Sequence, residues 1–397
     1  MRIAYYNHTS SVSGAEMNLL VTAAHYQRAE VTIMAPEGEL LERARKAGLA
    51  AMALPSYNAR LSRNPFRLAA GIIGMIGAGK QLSDAAMAGG AEVIHANSLR
   101  AGMMASLFYW RHRIPVVWHL HDNPPKGLVG KLIRVYASRA AQAFIAISEP
   151  VRVGFGSSSG PVHLIHNGAV LSHYSELEKK RYRIELRRQL DTPAGGRVMV
   201  IIGQITPWKR QEDAIRALQS LIQQGEENYL WIVGEPKFRE ENMLYLKKLK
   251  RLADELSVTK YIRFTGFRND VDQLCCAADL LLLCSENEPF GRVIIEAMAQ
   301  GTPVIATSGG GVGEIIEHGR SGLLYEAGNI PQLADSVRSL LNNDRLRKQI
   351  SINSVKRVSG HFSIEQAAAK TERVYAQMVG EKTGRNKGLQ QTKGVAK

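Results

Sequence analysis

Cysteine is scarce in this sequence, with three residues in 397. Two of them, Cys275 and Cys276, are adjacent, so a disulfide framework is excluded and a reducing compartment is expected. Long apolar runs are also missing: the longest uncharged one, Leu68–Gly79, has 12 residues, whereas a bilayer span needs ~20. The chain opens directly on a strand pattern, Met1–Tyr6, without the pattern of a signal peptide. We therefore expect a cytoplasmic protein or one bound to a membrane surface.

Aromatic residues make up only 7% of the chain, and no recognised nucleic-acid motif interleaves them with basic residues. Both observations argue against nucleic-acid binding. There are 51 Lys and Arg against 36 Asp and Glu, a net charge of +15, which indicates an anionic partner. Acidic residues are absent from 43–83 and from 123–148. The basic residues of these two tracts are Arg43, Arg45, Lys46, Arg60, Arg63, Arg67 and Lys80, then Lys126, Lys131, Arg134 and Arg139.

Short apolar strands and amphipathic helices alternate along the chain in two series, which predicts two doubly wound parallel α/β domains. One predicted helix, Pro65–Ala88, contains the apolar run described above. A polar stretch with one exposed helix, Glu178–Leu190, separates the two series and indicates a linker. The predicted segments are an N-terminal domain at 1–171, the linker at 172–196, a C-terminal domain at 197–360, a last helix at 361–380 and a disordered basic tail at 381–397.

The most informative stretch runs from Cys284 to Glu317. A buried strand, Leu280–Leu283, leads into a polar loop and then a helix that starts near Pro289 and ends at Gly301. Ligands of open α/β sheets lie beyond the strand carboxyl ends, near helix amino termini. Glu288 would lie just before the helix and Glu296 about two turns inside it. Two carboxylates at this spacing could bind the hydroxyls of two sugar rings. Taken alone, the pair is more typical of a helix-start acid and a solvated one.

The surrounding residues favour the sugar-binding alternative. Glu-x7-Glu within SENEPFGRVIIEAMAQGTPVIAT, followed by GGGVGEII, closely resembles the signature of glycosyltransferase family 4, the retaining nucleotide-sugar enzymes of GT-B fold. The resemblance implies two Rossmann-like domains that face each other across a cleft, with the last helix crossing back to the first domain. It also implies that Glu288 contacts the donor sugar and Glu296 the nucleotide ribose.

Two glycine turns carry further matches to this family. Ser13-Gly14-Ala15-Glu16 resembles its Gly-Gly-Ala-Glu turn, in which a glycine lets the backbone approach a diphosphate. The family usually has an arginine after the glycine equivalent to Gly203, and a lysine several residues later. Lys209 fits the lysine, but Gln204 does not keep the arginine's charge, so Lys209 and helix dipoles would suffice or Arg210 or Arg292 would substitute.

Several other residues complete the predicted site. His121 matches a family histidine that faces the donor sugar, whereas His119 suits a core position. The two histidines share a strand face, but no thiolate or third ligand accompanies them, so no metal is predicted. Phe290 and Gly291 lie at the predicted helix amino terminus that faces the diphosphate, and Gly266 near the base. Asp270 precedes an amphipathic helix and is interpreted as a helix cap.

The resemblance implies a metal-independent glycosyltransferase that needs no cofactor and uses a UDP- or GDP-sugar. The basic tracts and the apolar residues Phe66, Ile72, Ile73 and Met75 suggest an anionic membrane surface and a lipid-linked or cell-envelope polysaccharide acceptor at the cytoplasmic membrane face. Alternatively, Leu68–Gly79 is a buried helix and the charges are solvated. Two other functions stay open: a GT-B relative such as a nucleotide-sugar epimerase, or a non-catalytic nucleotide-sugar-binding subunit, towards which only Ser13 and Gln204 point.

Overall fold

A seven-stranded parallel sheet forms the centre of the first of two structural units, which comprises Met1–Gly168 and Ile364–Lys397. The computed structural model describes residues 1–55, 65–125, 127–156, 160–171, 174–237 and 239–393. Within them the sheet has the strand order β3-β2-β1-β4-β5-β6-β7. Its strands are β1 (Arg2–Tyr6), β2 (Glu30–Ala35), β3 (Ala50–Ala53), β4 (Val93–Ala96), β5 (Val116–Leu120), β6 (Ala143–Ala146) and β7 (Val162–Leu164).

Helices connect these strands, as the alternation in the sequence predicts. They are α1 (Gly14–Ala24), α2 (Glu39–Lys46), α3 (Pro65–Ala88), α4 (Leu99–Leu107), α5 (Tyr109–His112), α6 (Leu128–Ala140) and α7 (Glu149–Phe155). Strands covered by helices on both faces need apolar side chains throughout, and the central strands β4, β5 and β6 are buried at every position. Residues Arg60, Arg63 and Lys126 of the basic tracts lie outside the described residues, as does the side chain of Arg67.

The second unit, Ala169–Ser363, contains a six-stranded parallel sheet within the described residues, with the order β10-β9-β8-β11-β12-β13. Its strands are β8 (Arg197–Ile202), β9 (Asn228–Val233), β10 (Ile262–Gly266), β11 (Leu280–Leu283), β12 (Val304–Thr307) and β13 (Leu323–Tyr325). Its α-helices are α8 (Glu176–Gln189), α9 (Gln211–Gln223), α10 (Glu240–Glu255), α11 (Val271–Ala277), α12 (Arg292–Ala299), α13 (Val312–Ile315), α14 (Ile330–Leu341) and α15 (Asp344–His361). Short 3₁₀ helices lie at Pro207–Lys209 and Thr259–Tyr261.

Both sheets are doubly wound, which confirms the predicted fold class. In the first sheet the strand order reverses between β1 and β4, and in the second between β8 and β11. Loops at the carboxyl ends of the two strands beside such a reversal diverge and leave a crevice, where ligands of this architecture bind. The loops after β1, β4, β8 and β11 are therefore the first places to look for a functional site.

The last helix, α16 (Ile364–Lys393), belongs to the first unit although it follows the second in sequence. The Glu372 carboxylate holds it there by accepting the backbone N–H groups of Gln27, Arg28 and Ala29 at 3.0, 2.6 and 2.9 Å. The helix also continues to Lys393, through most of the tail at 381–397 for which the sequence predicts disorder. Extending an existing helix costs far less than starting one, and 381–393 contains no proline.

Helix α8 differs from the exposed linker helix that the sequence predicts. It belongs to the second unit, where Leu186 and Arg187 are buried. Arg187 donates to the carboxylate of Asp279 and to the backbone oxygen of Ala277, both beside α11. An arginine that satisfies its guanidinium inside the protein does not need solvent, so a highly charged helix can still be packed. Among the described residues, no helix has the length and apolar character needed to cross a membrane.

Candidate functional site

Two loops at the reversal point of the second sheet bring Lys209 and Glu288 together. Lys209 ends the 3₁₀ turn after β8, and Glu288 lies in the loop after β11. The Lys209 Nζ atom donates to Glu288 Oε2 at 2.6 Å, and the buried Ser285 hydroxyl donates to the same oxygen at 2.7 Å. Lys209 also lies over the ring of Trp208, with Nζ 4.3 Å from the centroid. A cation and a carboxylate from separate loops are thus fixed at one point of this sheet edge.

The glycine-rich turn after β12 supports the backbone around Glu288. The Gly311 N–H donates to the Glu288 carbonyl oxygen at 2.8 Å. A Cβ atom at Gly310 would lie 2.0 Å from that same oxygen, and the Gly310 φ of +68° also disfavours a side chain. Ser285 is held in the same way, because its backbone oxygen accepts the Thr307 hydroxyl at 2.6 Å. The turn therefore fixes the position from which the Glu288 side chain projects.

Helix α12 begins at Arg292, three residues later than Pro289, where the sequence predicts its start. Gly291 causes the delay, because its φ of +94° is left-handed and cannot continue a helix. Glu296 is therefore just over one turn inside the helix rather than two, and its carboxylate pairs with Arg292 at i, i+4. The Phe290 side chain is 2% exposed and packs edge-to-face on Phe362, so only its backbone is available to a ligand.

The residues that could replace the family arginine are mostly engaged elsewhere. Arg210 pairs with the buried Asp213 at 2.8 Å, and the hydrogen bond to this carboxylate raises the pKa of the guanidinium. The Gln204 amide donates to the Lys237 backbone oxygen at 3.1 Å. Lys237 itself is a cation at this edge that sequence reasoning missed; its Nζ lies 3.2 Å from Glu235. Its only sequence signal is its position in the loop after β9.

Gly266 ends β10 at the same sheet edge, with a φ of +73°, and a Cβ atom added there would meet nothing within 4 Å. Phe267 follows it and carries the Lys237 ammonium 4.7 Å above its ring centroid. At the end of β11, burial raises the pKa of the Cys284 thiol to about 12. Cys284 therefore stays protonated at neutral pH and is no nucleophile.

The first unit has its own polar cluster at the reversal point, after β1, β4 and β5. Asn97 follows β4 and accepts a hydrogen bond from His121 Nε2 at 2.9 Å; its amide donates to Asn7, which follows β1, at 3.2 Å. Gly14 is the first residue of α1, and a Cβ atom there would meet nothing within 4 Å. The Glu16 carboxylate closes the turn by accepting the Ser13 N–H at 3.0 Å. Gly14 and His121 therefore lie at the same edge of the first sheet.

His119 is a core histidine that also belongs to a chain of hydrogen-bonded side chains, which sequence reasoning missed. Its ring stacks on His121 with centroids 4.2 Å apart. Its Nδ1 lies 3.1 Å from His95 Nε2, and His95 Nδ1 lies 2.6 Å from the Tyr375 hydroxyl on α16. Burial holds the pKa values of His95 and His119 well below the usual histidine value. No local pattern links residues 280 positions apart, so only the fold could show this.

Metal ligands do not cluster in the described part of the chain: it contains no group of three or more His, Cys, Asp or Glu placed to hold an ion. Asp270 is at the N-cap position of α11, but its carboxylate binds Arg268 instead of the helix N–H groups. The predicted cap position is therefore confirmed, but the side chain makes no capping hydrogen bond. The neighbouring guanidinium offers two aligned donors, which is a stronger interaction than a single amide, and it lowers the pKa of Asp270.

Fold and site together define a class, the glycosyltransferases of GT-B fold, and comparison with known proteins supports it. The model of "Glycosyltransferase Family 4" matches residues 12–173, and that of "Glycosyl transferases group 1" matches residues 183–357. The chain belongs to this family of group 1, family 4 glycosyltransferases.

Curated relatives include N-acetyl-alpha-D-glucosaminyl L-malate synthase of Bacillus anthracis, 28% identical over 49% of each chain. The lipopolysaccharide core biosynthesis glycosyltransferase LpsE of Rhizobium meliloti is 30% identical over 45% of this chain and 49% of its own. The matches thus span about half the length of these relatives. Among solved structures, HepE of Anabaena in complex with UDP-glucose has a TM-score of 0.82 and 25% identity, with 95% of this chain and 100% of HepE covered.

Proposed function

We propose that this chain is a retaining, metal-independent glycosyltransferase that moves a sugar from a nucleotide-diphosphate sugar to a lipid-linked or cell-envelope polysaccharide acceptor. The observation that carries the proposal is the pairing of Lys209 with Glu288 at the reversal point of the second sheet, with Glu296 on the helix that follows, about one turn from its start. A cation and two carboxylates that follow the strands at this reversal point suit a ligand that has both phosphates and hydroxyls. No cofactor is required by this chemistry.

The protein residues would mainly stabilise the charges that develop as the sugar leaves the diphosphate. Breaking the bond between the anomeric carbon and the diphosphate oxygen leaves negative charge on the diphosphate and positive charge on the sugar. Lys209 and the amino termini near Gly14 and Gly291 would stabilise the diphosphate electrostatically. Glu288 would accept hydrogen bonds from the donor sugar and Glu296 from the ribose. His121 is the histidine proposed to contact a sugar.

A UDP-sugar is the first donor to test, because HepE was solved with UDP-glucose. Thermal shift and donor hydrolysis are measured against UDP- and GDP-sugars with and without EDTA, beside a Glu296→Ala variant. We expect one nucleotide series to raise the melting temperature of the wild-type protein but not of the variant. Stabilisation that EDTA abolishes would contradict metal independence, and no response to any donor would contradict the proposal.

The acceptor side of the proposal rests on the surface of α3 and α6, which both pack against α4. Large apolar side chains are exposed on both helices: Phe66, Ile72, Ile73 and Ile76 on α3, and Leu128, Val129, Leu132 and Val135 on α6. This exposure argues against a buried α3 and favours the membrane alternative. On α6, Lys131, Arg134 and Arg139 have no carboxylate partner within the described residues. Apolar and basic groups side by side suit an anionic bilayer surface.

A liposome experiment tests the membrane contact, and with it the proposed location at the inner face of the cytoplasmic membrane. The purified protein should float with vesicles containing phosphatidylglycerol at low salt. Leu128→Glu should weaken flotation, whereas the control Leu177→Glu on α8 should not; these leucines are 72% and 79% exposed. Equal flotation of the two variants, or none of the wild type, would reject the membrane contact while leaving donor use intact.

A further inference from the structure

A continuous chain of hydrogen-bonded and stacked side chains, buried and half-buried, connects α16 to the candidate sugar-contacting histidine in the first unit. It begins at Tyr26, whose hydroxyl lies 3.0 Å from that of Tyr375. Tyr375 then contacts His95, and His95 contacts His119, through the 2.6 and 3.1 Å hydrogen bonds described above. His95 and Tyr375 are fully buried, so water molecules cannot replace these hydrogen-bond partners. The chain ends where the His119 ring stacks on His121.

The hydrogen-bond chain from Tyr375 through His95 to His119 can have only two donor–acceptor arrangements. A neutral imidazole has one N–H donor and one acceptor nitrogen, and both His95 nitrogens are used. If Tyr375 donates to His95 Nδ1, then His95 Nε2 must donate to His119 Nδ1. If the direction reverses, His119 donates and Tyr375 accepts. In both cases the Tyr375 hydroxyl selects the tautomer and orientation of His119 through His95.

The other nitrogen of His119 does not help to orient the ring. Its Nε2 atom is buried and lacks a hydrogen-bond partner in the described part of the protein. The ring is therefore held by His95 on one nitrogen and by stacking on His121, at an interplanar angle of 26°. His121 in turn has the His119 ring on one face and the Asn97 oxygen at its Nε2.

Helix α16 is itself fixed at this position. Glu372, one turn before Tyr375, receives the three backbone N–H groups that follow α1. The Tyr375 ring also contacts Tyr26 and His95 edge-on, with centroids 5.8 and 5.7 Å apart. The Tyr375 hydroxyl is thus a rigid anchor for the chain of histidines.

We propose that Tyr375 and His95 are positioning residues for His121: the C-terminal helix orients His119, and His119 forms the surface on which His121 is placed for contact with substrate. This inference rests on the proposed function for the role of His121, but the geometry of the chain does not depend on it. Under this proposal, α16 helps to position His121 although the two are far apart in sequence.

Tyr375→Phe tests the proposal, because it removes the hydroxyl and keeps the ring. Three quantities are measured: the side-chain ¹⁵N resonances of the histidines, kcat for transfer or donor hydrolysis, and the dissociation constant for UDP. We expect shifted resonances for His95, His119 and His121 and about a tenfold lower kcat, as for a slightly misplaced reacting group. The affinity for UDP should stay unchanged, because UDP lacks the sugar that His121 is proposed to contact.

Two companion variants make the result specific. Tyr229→Phe removes a phenol hydroxyl at the amino end of β9, where it donates to Glu227, and it should leave kcat and the His121 signal unchanged. Tyr26→Phe leaves the Tyr375–His95 contact intact, so it should have a smaller effect than Tyr375→Phe. It also keeps the test usable if Tyr375→Phe does not fold.

The outcomes separate this inference from the proposed function. An unchanged His121 resonance or a wild-type kcat in folded Tyr375→Phe would overturn the inference. Absence of turnover and UDP binding in the wild-type protein would overturn the proposed function instead. In that case the His121 resonance alone still decides whether Tyr375 positions this ring.

Discussion

At the residue scale, the Lys209–Glu288 pair is the central feature of the second unit. Both side chains are largely shielded from water, with 17% and 9% of their surface exposed. A donor diphosphate would have to attract Lys209 while Glu288 turns to the sugar hydroxyls. The Ser285 hydroxyl would still hold one Glu288 oxygen after Lys209 leaves, because it donates to the same carboxylate oxygen as Lys209. Ser285 is therefore a part of the site that the two-glutamate pattern alone does not reveal.

Gly291→Ala should destabilise the protein by about 1–3 kcal/mol, because it combines backbone strain with a close contact. A Cβ atom there would lie 2.8 Å from Ile294 Cδ1 and 3.3 Å from Glu288 Cγ. Gly225→Ala is the matched control, since its φ of +83° is similar but nothing lies within 4 Å. Urea unfolding should show the smaller loss for Gly225→Ala. Equal losses would mean that the contacts at Gly291 relax freely.

At the element scale, helix α8 depends on one buried guanidinium. Arg187 is 1% exposed and donates to Asp279 at 2.8 Å and to backbone oxygens of Ala277, Ala194 and Gly196. Asp279 also accepts the Val198 N–H at 2.7 Å. The arginine thus connects α8 to the start of β8 and the end of α11.

Arg187→Ala should cost about 3–5 kcal/mol of unfolding free energy, because it leaves Asp279 and several buried carbonyls without their donor. Arg183→Ala is the control. Arg183 pairs with the same carboxylate, but its side chain is 38% exposed, so its loss should cost about 1 kcal/mol or less. Urea denaturation followed by circular dichroism measures both. A cost below about 1 kcal/mol for Arg187→Ala would show that α8 is held by other contacts.

Elements with strong local patterns could be predicted from the sequence, and those set by distant contacts could not. Helix α3 has the predicted bounds because its apolar spacing is local. The start of α12 was misplaced because the backbone of Gly291, not the helix preference of Pro289, decides it. Arg187 looked like a solvated helix charge, since Asp279 is 92 residues away. For the same reason Glu288 and Lys209 were proposed separately, and their contact emerged only from the sheet.

At the scale of the whole molecule, the first unit should be sensitive to acid. Burial lowers the pKa of His8 to about 4, and burial lowers those of His95 and His119 as well. Well above a pH of about 6.5 these groups are neutral in both the folded and unfolded states, so they add no pH dependence. As the pH falls through this value, the unfolded chain takes up protons that the folded chain does not, and folding stability is lost.

For His8 this loss amounts to about 1.4 kcal/mol at pH 5.5, and His95 and His119 add to it in the same direction. Urea unfolding at pH 7.5 and 5.5 measures the effect. His8→Asn should reduce the difference between the two pH values, since asparagine does not titrate. Equal unfolding free energies of the wild-type protein at both pH values would contradict the assignment of neutral buried histidines.

The most direct test of the account is calorimetric titration with UDP-glucose of the wild-type protein, Lys209→Met and Lys250→Met. The two variants lose the same charge, but Lys250 is on the exposed face of α10, where it lies over Phe264. We predict binding by the wild type and by Lys250→Met with equal affinity, and at least about tenfold weaker binding by Lys209→Met, as expected for a charge-assisted phosphate contact. No binding by the wild type, or equal weakening in both variants, would contradict a nucleotide-sugar site at the reversal point of the second sheet.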